Sequence, residues 1–165
     1  MQGRRDIPLN ARGHEQAREL AERVSAEQIA ALWTSHLGRA RQTAAAVTAV
    51  TGIEAEVDER LAESHCGDWE GRLVADIERD DGHAWGAYRS DPAGFRYPGG
   101  ESLVEHQRRV VASLADVAQG PLPALVVCHG GTIRCALLDG DERGLGAYHE
   151  VRVRNAALFR LTSPS

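Results

Sequence analysis

The clearest hydrophobic pattern in the chain is a short apolar run at 124–128, Ala-Leu-Val-Val-Cys. Two prolines precede this run, and Gly130 and Gly131 follow it. A continuous run of this length, rich in β-branched residues, is typical of a buried parallel strand. We expect the strand to end at His129 and the glycines to lead into a helix. That helix is predicted to carry Ile133, Ala136 and Leu137.

Three further helices are predicted from apolar residues at helical spacing. The first follows Asn10, which has an N-cap side chain, and the second runs from about 38 to 50 and ends at Gly52. The third follows Ser102, which can form a capping box with Glu105. Their predicted inward residues are Ala17, Leu20, Ala21 and Val24; Ala40, Thr43, Ala44 and Val47; and Leu103, Val110, Val111, Leu114 and Val117.

The remaining short apolar segments are predicted as strands at 31–34 and 54–57, and as two final strands at 151–153 and 157–161. Helices that alternate with short buried strands indicate an α/β protein. We therefore predict a three-layer α/β/α sandwich around a mostly parallel sheet. At this length, residues 1–165 are expected to form one domain.

The segment 72–97 does not fit a regular pattern. It carries four aromatic residues among many charges: Trp85, Tyr88, Phe95 and Tyr97. This composition suits a segment that packs over a site, so we predict that 72–97 is a lid.

Composition and charge exclude several classes of function. The net charge of −5 provides no positive surface for nucleic acid or for an anionic membrane, so any phosphate affinity must come from a few focused cations. The three cysteines, Cys66, Cys128 and Cys135, form no C-x-x-C pair, which predicts no disulfide framework and no metal site. Since no apolar stretch approaches about 20 residues, we predict no membrane helix and a cytoplasmic protein.

Three polar residues occupy positions where chemistry is expected. His129 lies at the carboxyl end of a strand that opens onto a helix N-terminus, where α/β proteins bind anions. Arg39 lies in the first turn of the second helix, from which its planar guanidinium can meet a phosphate; Arg41 is expected to be solvated. Glu63 lies in the loop 61–71 near Trp69 and can give a proton to a leaving oxygen. Taken singly, each is equally well explained as a core histidine, a surface arginine or a surface glutamate.

Five segments in order resemble the histidine phosphatase superfamily, in its phosphoglycerate-mutase-like branch. They are 3–13; 35–44, with Leu-Gly-Arg-Ala; 61–71; 98–102, which reads Pro-Gly-Gly-Glu-Ser; and His-Gly-Gly at 129–131. The resemblance covers nearly the whole chain. It implies phosphoryl transfer through a phosphohistidine, with no metal or other cofactor, on a small phosphorylated metabolite.

The resemblance also implies roles for individual residues. Arg39, His129 and Gly130 match the phosphate-binding positions, and Glu63 matches the proton donor to the leaving group. Arg39, Glu63 and His129 are thus the predicted catalytic residues. Fixed cations around the phosphoryl oxygens and an acid opposite the nucleophile are what metal-free transfer needs.

The chain departs from the family in one respect. Family sequences begin with a central strand that ends in Arg-His-Gly, whose histidine is the nucleophile, and no Arg-His-Gly occurs here. We expect the sequence upstream of Met1 to encode that strand, because no other histidine is predicted to follow a buried strand. These histidines are His14, His36, His65, His83, His106 and His149.

Three functions remain open: a phosphatase, a non-catalytic member that binds a phosphorylated ligand or a protein, and a mutase. The segment 72–97 is shorter than the insertion that covers the site of family mutases, which favours the phosphatase. Without its first central strand, the 165-residue chain is expected to be inactive and to expose a gap beside 124–128. Unpaired strand edges invite association, so self-association through this gap is predicted.

Overall fold

Nine helices and strands form the fold in a computed structural model that describes residues 1–161. In chain order they are α1 (Ala11–Ser25), β1 (Ala31–Thr34), α2 (Gly38–Thr51), β2 (Ala55–Val57), α3 (Val74–Asp80), α4 (Gly82–Ser90), α5 (Leu103–Val117), β3 (Ala124–Val127) and α6 (Gly130–Leu137). Three short 3-10 helices lie in the loops at Glu59–Leu61, Gly67–Trp69 and Gly144–Ala147. Within the described part of the chain, no helix is both long and apolar enough to cross a membrane.

The sheet contains three parallel strands in the order β2-β1-β3. β1 is central, and its pairing with β3 runs from Ala31 opposite Ala124 to Thr34 opposite Val127. Parallel strands end at the same edge of a sheet, so the residues that follow β1 and β3 lie together. The predicted α/β fold with a parallel sheet is confirmed.

Local signals in the sequence set the helix ends as predicted. The Asn10 side chain accepts a hydrogen bond of 2.9 Å from the amide of Gly13 and caps α1. Gly52 ends α2 at φ 72°, in the left-handed region where glycine is favoured. Ser102 and Glu105 form the capping box of α5.

Helices α1 and α2 pack together and cover one part of the sheet. Their buried residues include Leu20 and Val24 from α1 and Val47 from α2, and these share a hydrophobic cluster with Leu32 and Val127 of the strands. Burying aliphatic side chains of this size stabilises the fold by about 1.5–3 kcal/mol each. This cluster therefore holds β1 and β3 firmly in register.

The inward face of α5 differs from the predicted one. Val110 is buried as expected, but Val111 and Leu114 are only half-buried, while His106 and Ser113 are fully buried. Both polar side chains have partners: His106 contacts the hydroxyls of Ser64 and Thr132, and Ser113 donates to a carboxylate oxygen of Asp58 over 2.7 Å. Hydrogen bonds thus offset the cost of burying polar groups, which hydrophobic periodicity does not register.

The two strands predicted at the end of the chain are wrong. Residues 151–153 and 157–161 pair with no strand in the part of the chain that the structure describes. A strand must lie about 4.8 Å from its neighbour to hydrogen-bond with it. Here 125–128 and 153–158 line a common cavity, and no backbone hydrogen bond joins these two described segments. The predicted self-association through this edge stays a prediction.

Residues 72–97 contain α3, α4 and a turn, and they contribute to the core. Trp69 is fully buried, and four rings surround it at centroid distances of 5.4–5.9 Å. These rings belong to Trp85, Tyr88, Phe95 and Tyr97. Tyr88 and Tyr97 also lie on the cavity wall. The role of 72–97 as a lid, and the assignment of 1–165 to one domain, stay predictions.

Replacing Trp69 tests whether this aromatic cluster is part of the main fold. We expect Trp69→Ala to lower the free energy of unfolding by about 3–5 kcal/mol, the usual cost of truncating a buried aromatic side chain. The half-buried Trp85 serves as the control, and Trp85→Ala should cost less. Urea unfolding measures both values. A separate transition for the cluster, with the rest of the fold unchanged, would contradict the expectation.

Candidate active site

A cavity of about 670 Å³ lies at the carboxyl ends of β1 and β3 and extends along the free edge of β3. The four predicted site residues all line it: Arg39, Glu63, His129 and Gly130. They come from three separate elements, the first turn of α2, the loop after Glu59–Leu61, and the start of α6. The structure therefore brings together residues that are up to 91 positions apart in the sequence (39 to 130).

His129 occupies the N-cap position of α6, in an extended backbone conformation. Its Nε2 lies 2.9 Å from the hydroxyl oxygen of Ser35, which is fully buried. Strand pairing places Ser35 there, since its amide donates to the carbonyl of Val127 over 3.1 Å. Ser35 was not predicted from the sequence as a site residue, although its position directly after a buried strand indicated one.

Burial and, to a smaller extent, the nearby guanidinium of Arg39 together lower the pKa of His129 to about 3. The imidazole is therefore neutral at neutral pH, with one N–H donor and one acceptor nitrogen. When the Ser35 hydroxyl donates to Nε2, the hydrogen of the ring is on Nδ1. In that arrangement Nδ1 is the nitrogen that donates.

Arg39 is half-buried and is held by the backbone of the N-terminal segment. Its two terminal nitrogens donate to the carbonyls of Arg5 and Gly3 over 2.9 and 2.8 Å, and these are its hydrogen-bond partners among the described residues. Burial lowers the pKa of Arg39, while the carboxylates of Glu63, Asp6 and Glu70 oppose that shift. A guanidinium has five N–H donors and stays charged, so Arg39 keeps donors for an anion in the cavity.

Glu63 points its carboxylate at the N-terminus of α6. Oε2 accepts a hydrogen bond from the amide of Gly131 over 3.1 Å, and Oε1 accepts one from the amide of Ser64 over 3.0 Å. A side chain at Gly131 would collide with this carboxylate, which explains the glycine. Free amides at a helix N-terminus attract negative charge, so the position that Glu63 occupies is one that favours anions.

Another part of the cavity wall is aromatic and was not predicted as such. Tyr148 is buried, and its hydroxyl lies beside Glu63 at Gly131. Cys66 also lines the cavity, and burial raises the pKa of its thiol to about 12, so the thiol is neutral at ordinary pH. Trp69 is not among the described residues that line the cavity, and its indole N–H donates to Asp81 over 3.2 Å. No sequence pattern around Tyr148 indicated its place in the site.

Among the residues that the structure describes, His129 is the histidine that lines the cavity. The expectation that none of the other histidines follows a buried strand is wrong for His36, which comes two residues after β1. His36 is nevertheless not part of the cavity lining given by residues 1–161, and its Nδ1 is buried without a hydrogen-bond partner. Strand order alone therefore does not identify a histidine that faces the site.

Comparison with known proteins agrees with this geometry. The sequence profile of the histidine phosphatase superfamily (branch 1) matches residues 1–164. The chain is 37% identical to the probable phosphoglycerate mutase GpmB of Serratia proteamaculans, over 98% of this chain and 76% of the relative.

Solved structures with the same fold include three similar proteins. A mycobacterial glucosyl-3-phosphoglycerate phosphatase has a TM-score of 0.82 and 31% identity, and the match covers 92% of this chain and 77% of that protein. Bacillus stearothermophilus YhfR has a TM-score of 0.85 and 30% identity, and the match covers 92% of this chain and 76% of that protein. The α-ribazole phosphatase of Shigella flexneri has a TM-score of 0.83 and 25% identity, and the match covers 94% of this chain and 78% of that protein.

The two buried histidines predict a loss of stability in acid. Burial lowers the pKa of His106, like that of His129, to about 3. Between the pKa of about 6.5 in the unfolded chain and the lower pKa in the folded chain, these histidines bind protons in the unfolded chain but not in the folded one. Stability is thus expected to fall as the pH falls through this window, by at most about 1.4 kcal/mol per pH unit for each histidine.

Urea unfolding at pH 7.5, 6 and 5 measures this dependence. His106→Asn should show a weaker dependence on pH than the unchanged chain, whatever its stability at pH 7.5. The exposed His14 provides the matched control, and His14→Gln should keep the full dependence. Equal pH dependence in the unchanged chain and in His106→Asn would show that His106 is not the group responsible.

Proposed function

Because this chain belongs to the histidine phosphatase superfamily, we propose that it is a phosphatase domain for small phosphate monoesters, acting through a phosphohistidine. One observation carries the proposal: Arg39, Glu63, His129 and Gly130 converge on one cavity at the carboxyl ends of the strands. Three donor groups (one cation and two N–H groups) and one carboxylate, arranged around a space open to a ligand, suit the binding and protonation of a phosphate ester.

The proposed roles follow from the position of each group. Arg39 and the amide of Gly130 bind phosphoryl oxygens, and His129 donates its ring N–H to another. The bond from phosphorus to the ester oxygen breaks as the phosphorus–nitrogen bond forms, and Glu63 gives a proton to the leaving oxygen. Water then attacks the phosphorus of the phosphohistidine as the phosphorus–nitrogen bond breaks, and the Glu63 carboxylate takes the proton of that water. Inorganic phosphate leaves and the histidine is free again.

The nucleophile of this proposal is a histidine from polypeptide outside the printed sequence. His129 cannot fill the role and also bind the phosphoryl oxygens, and the other histidines do not line the cavity formed by residues 1–161. The cavity along the free edge of β3 leaves space for an additional segment beside His129. The proposal therefore separates phosphate binding, which this chain performs, from transfer, which it does not perform alone.

A mutase is the second candidate, since the curated relative in Serratia is called a probable phosphoglycerate mutase. The two activities share the same groups and differ in the acceptor of the phosphoryl group, which is water in one case and a second alcohol in the other. The phosphatases among the similar structures and the short segment 72–97 favour water. Release of inorganic phosphate, measured against interconversion of phosphoglycerates, distinguishes the two.

Phosphate binding tests the first half of the proposal. We expect the 165-residue chain to bind inorganic phosphate, as measured by calorimetry, and Arg39→Ala to weaken binding about 10- to 100-fold, the usual range for a charge-assisted hydrogen bond. Arg41, exposed on the same helix, gives the matched control, and Arg41→Ala should bind as the unchanged chain does. Equal weakening by both changes would point to general electrostatic attraction and not to this site.

Turnover tests the second half. The 165-residue chain should release no phosphate from p-nitrophenyl phosphate, while the product of the reading frame extended upstream of Met1 should release it in the presence of EDTA. Acid-labile phosphate should then be found on a histidine of the added segment. Activity abolished by EDTA would contradict the metal-free mechanism. Phosphate binding without turnover in either protein would favour the non-catalytic alternative.

A further inference from the structure

The Pro-Gly-Gly-Glu-Ser motif at 98–102 has no part in the proposed chemistry, yet its Glu101 is largely buried, with 13% of its side chain exposed. Glu101 exchanges two hydrogen bonds with His65: its Oε1 accepts from the His65 amide over 2.8 Å, and its own amide donates to the His65 carbonyl over 3.0 Å. It also accepts two bonds from Arg109 on α5, over 2.6 and 3.0 Å. Burial alone would raise the pKa of Glu101, but these bonds hold it below its ordinary value.

The rest of the Arg109 guanidinium is directed at the backbone just before the site. One terminal nitrogen donates to the carbonyls of Arg60 and Ala62 over 2.6 and 2.7 Å. The other donates to the carbonyl of Glu63 over 3.0 Å. With the two bonds to Glu101, all five N–H donors of Arg109 are used.

The segment that Arg109 binds leaves carbonyls without partners inside its own helix. The 3-10 helix Glu59–Leu61 ends two residues before Glu63, and the last carbonyls of a helix have no partners within it. Arg109 satisfies three carbonyls in this stretch, and Thr132 of α6 donates to that of Ala62 over 3.1 Å. The backbone that carries Glu63 is thus fixed from α5 and α6 together.

We propose that Arg109, oriented by Glu101, is a positioning residue for Glu63. Through the carbonyls of Arg60, Ala62 and Glu63 it holds the Glu63 carboxylate at the N-terminus of α6, on the wall of the cavity that Arg39 also lines. The inference rests on the proposed role of Glu63 as proton donor. In this proposal the 98–102 motif, through Glu101, orients Arg109 and takes no part in phosphate binding.

A leaving-group comparison separates positioning from a general structural role. An alkyl phosphate needs its leaving oxygen protonated, whereas p-nitrophenolate leaves readily without a proton. Displacing a proton donor by about 1 Å costs on the order of 10²-fold in rate. In the upstream-extended protein, Arg109→Gln should therefore lower kcat/KM, which reports transfer to the histidine and not the later attack of water, by about 10²-fold for an alkyl phosphate and only a few-fold for p-nitrophenyl phosphate.

Two further variants sharpen this comparison. Arg109→Lys keeps the charge but not the planar fork, so it should recover only part of the lost rate. Arg108, exposed and next to Arg109 on α5, is the matched control. Arg108→Gln should leave the rates for both substrates unchanged. Equal losses for both substrates in Arg109→Gln would overturn the proposal, because a general loss of structure has that effect.

Hydrogen exchange on the 165-residue chain tests the same proposal without turnover. The amides of Ser64 and Gly131 donate to the Glu63 carboxylate, so their exchange reports whether that carboxylate is held. We expect both amides to exchange faster in Arg109→Gln than in Arg108→Gln, while the amides of α1 exchange equally in the two. Unchanged exchange at Ser64 and Gly131 would overturn the positioning role even if the proposed phosphatase activity were also absent. Faster exchange in Arg109→Gln, together with no turnover by the upstream-extended protein, would support the positioning role and refute the proposed function alone.

Discussion

The parallel pairing of β1 with β3 is the constraint on which the site depends. Four pairs of residues from Ala31–Ala124 to Thr34–Val127 set the register. Ser35, one residue past β1, and His129, two residues past β3, then meet at the same edge. A shift by one residue would turn each side chain to the other face of the sheet. The packing of α1 and α2 on these strands therefore contributes to the geometry of the site as well as to stability, because it holds the Ser35 hydroxyl against the His129 imidazole.

Glu63 receives no such support from a strand, since it lies in a loop between two short 3-10 helices. Its position comes from side chains far away in the sequence. The buried His106 is bound to Ser64 on one ring nitrogen over 2.7 Å and lies 3.2 Å from the hydroxyl of Thr132 on the other. A neutral imidazole that joins the Glu63 loop to α6 adds rigidity without adding a charge to the site, which explains why polar residues occupy the inward face of α5.

The sequence predicted most of what depends on neighbouring residues and less of what depends on distant ones. Asn10, Gly52 and Ser102 were identified as helix ends because a cap needs only the next few residues. The strands predicted at 151–153 and 157–161 were wrong because a strand exists only with a neighbour, and apolar alternation cannot supply one. Arg39, Glu63 and His129 were found through a resemblance to a family. Ser35 and Tyr148 were missed, since their contacts with the site exist only after folding.

The ion pair of Arg109 and Glu101 is better explained by position than by stability. Their side chains are 17% and 13% exposed, and removing two charges from water costs several kcal/mol for each, which their attraction offsets only with good geometry. A hydrophobic pair of similar size would stabilise α5 at least as well, but it would donate no hydrogen bond to the backbone at Glu63. The guanidinium binds three carbonyls and a carboxylate at once, which no apolar side chain and no lysine can do. What the buried charges contribute is therefore a fixed place for the loop that carries the proposed proton donor.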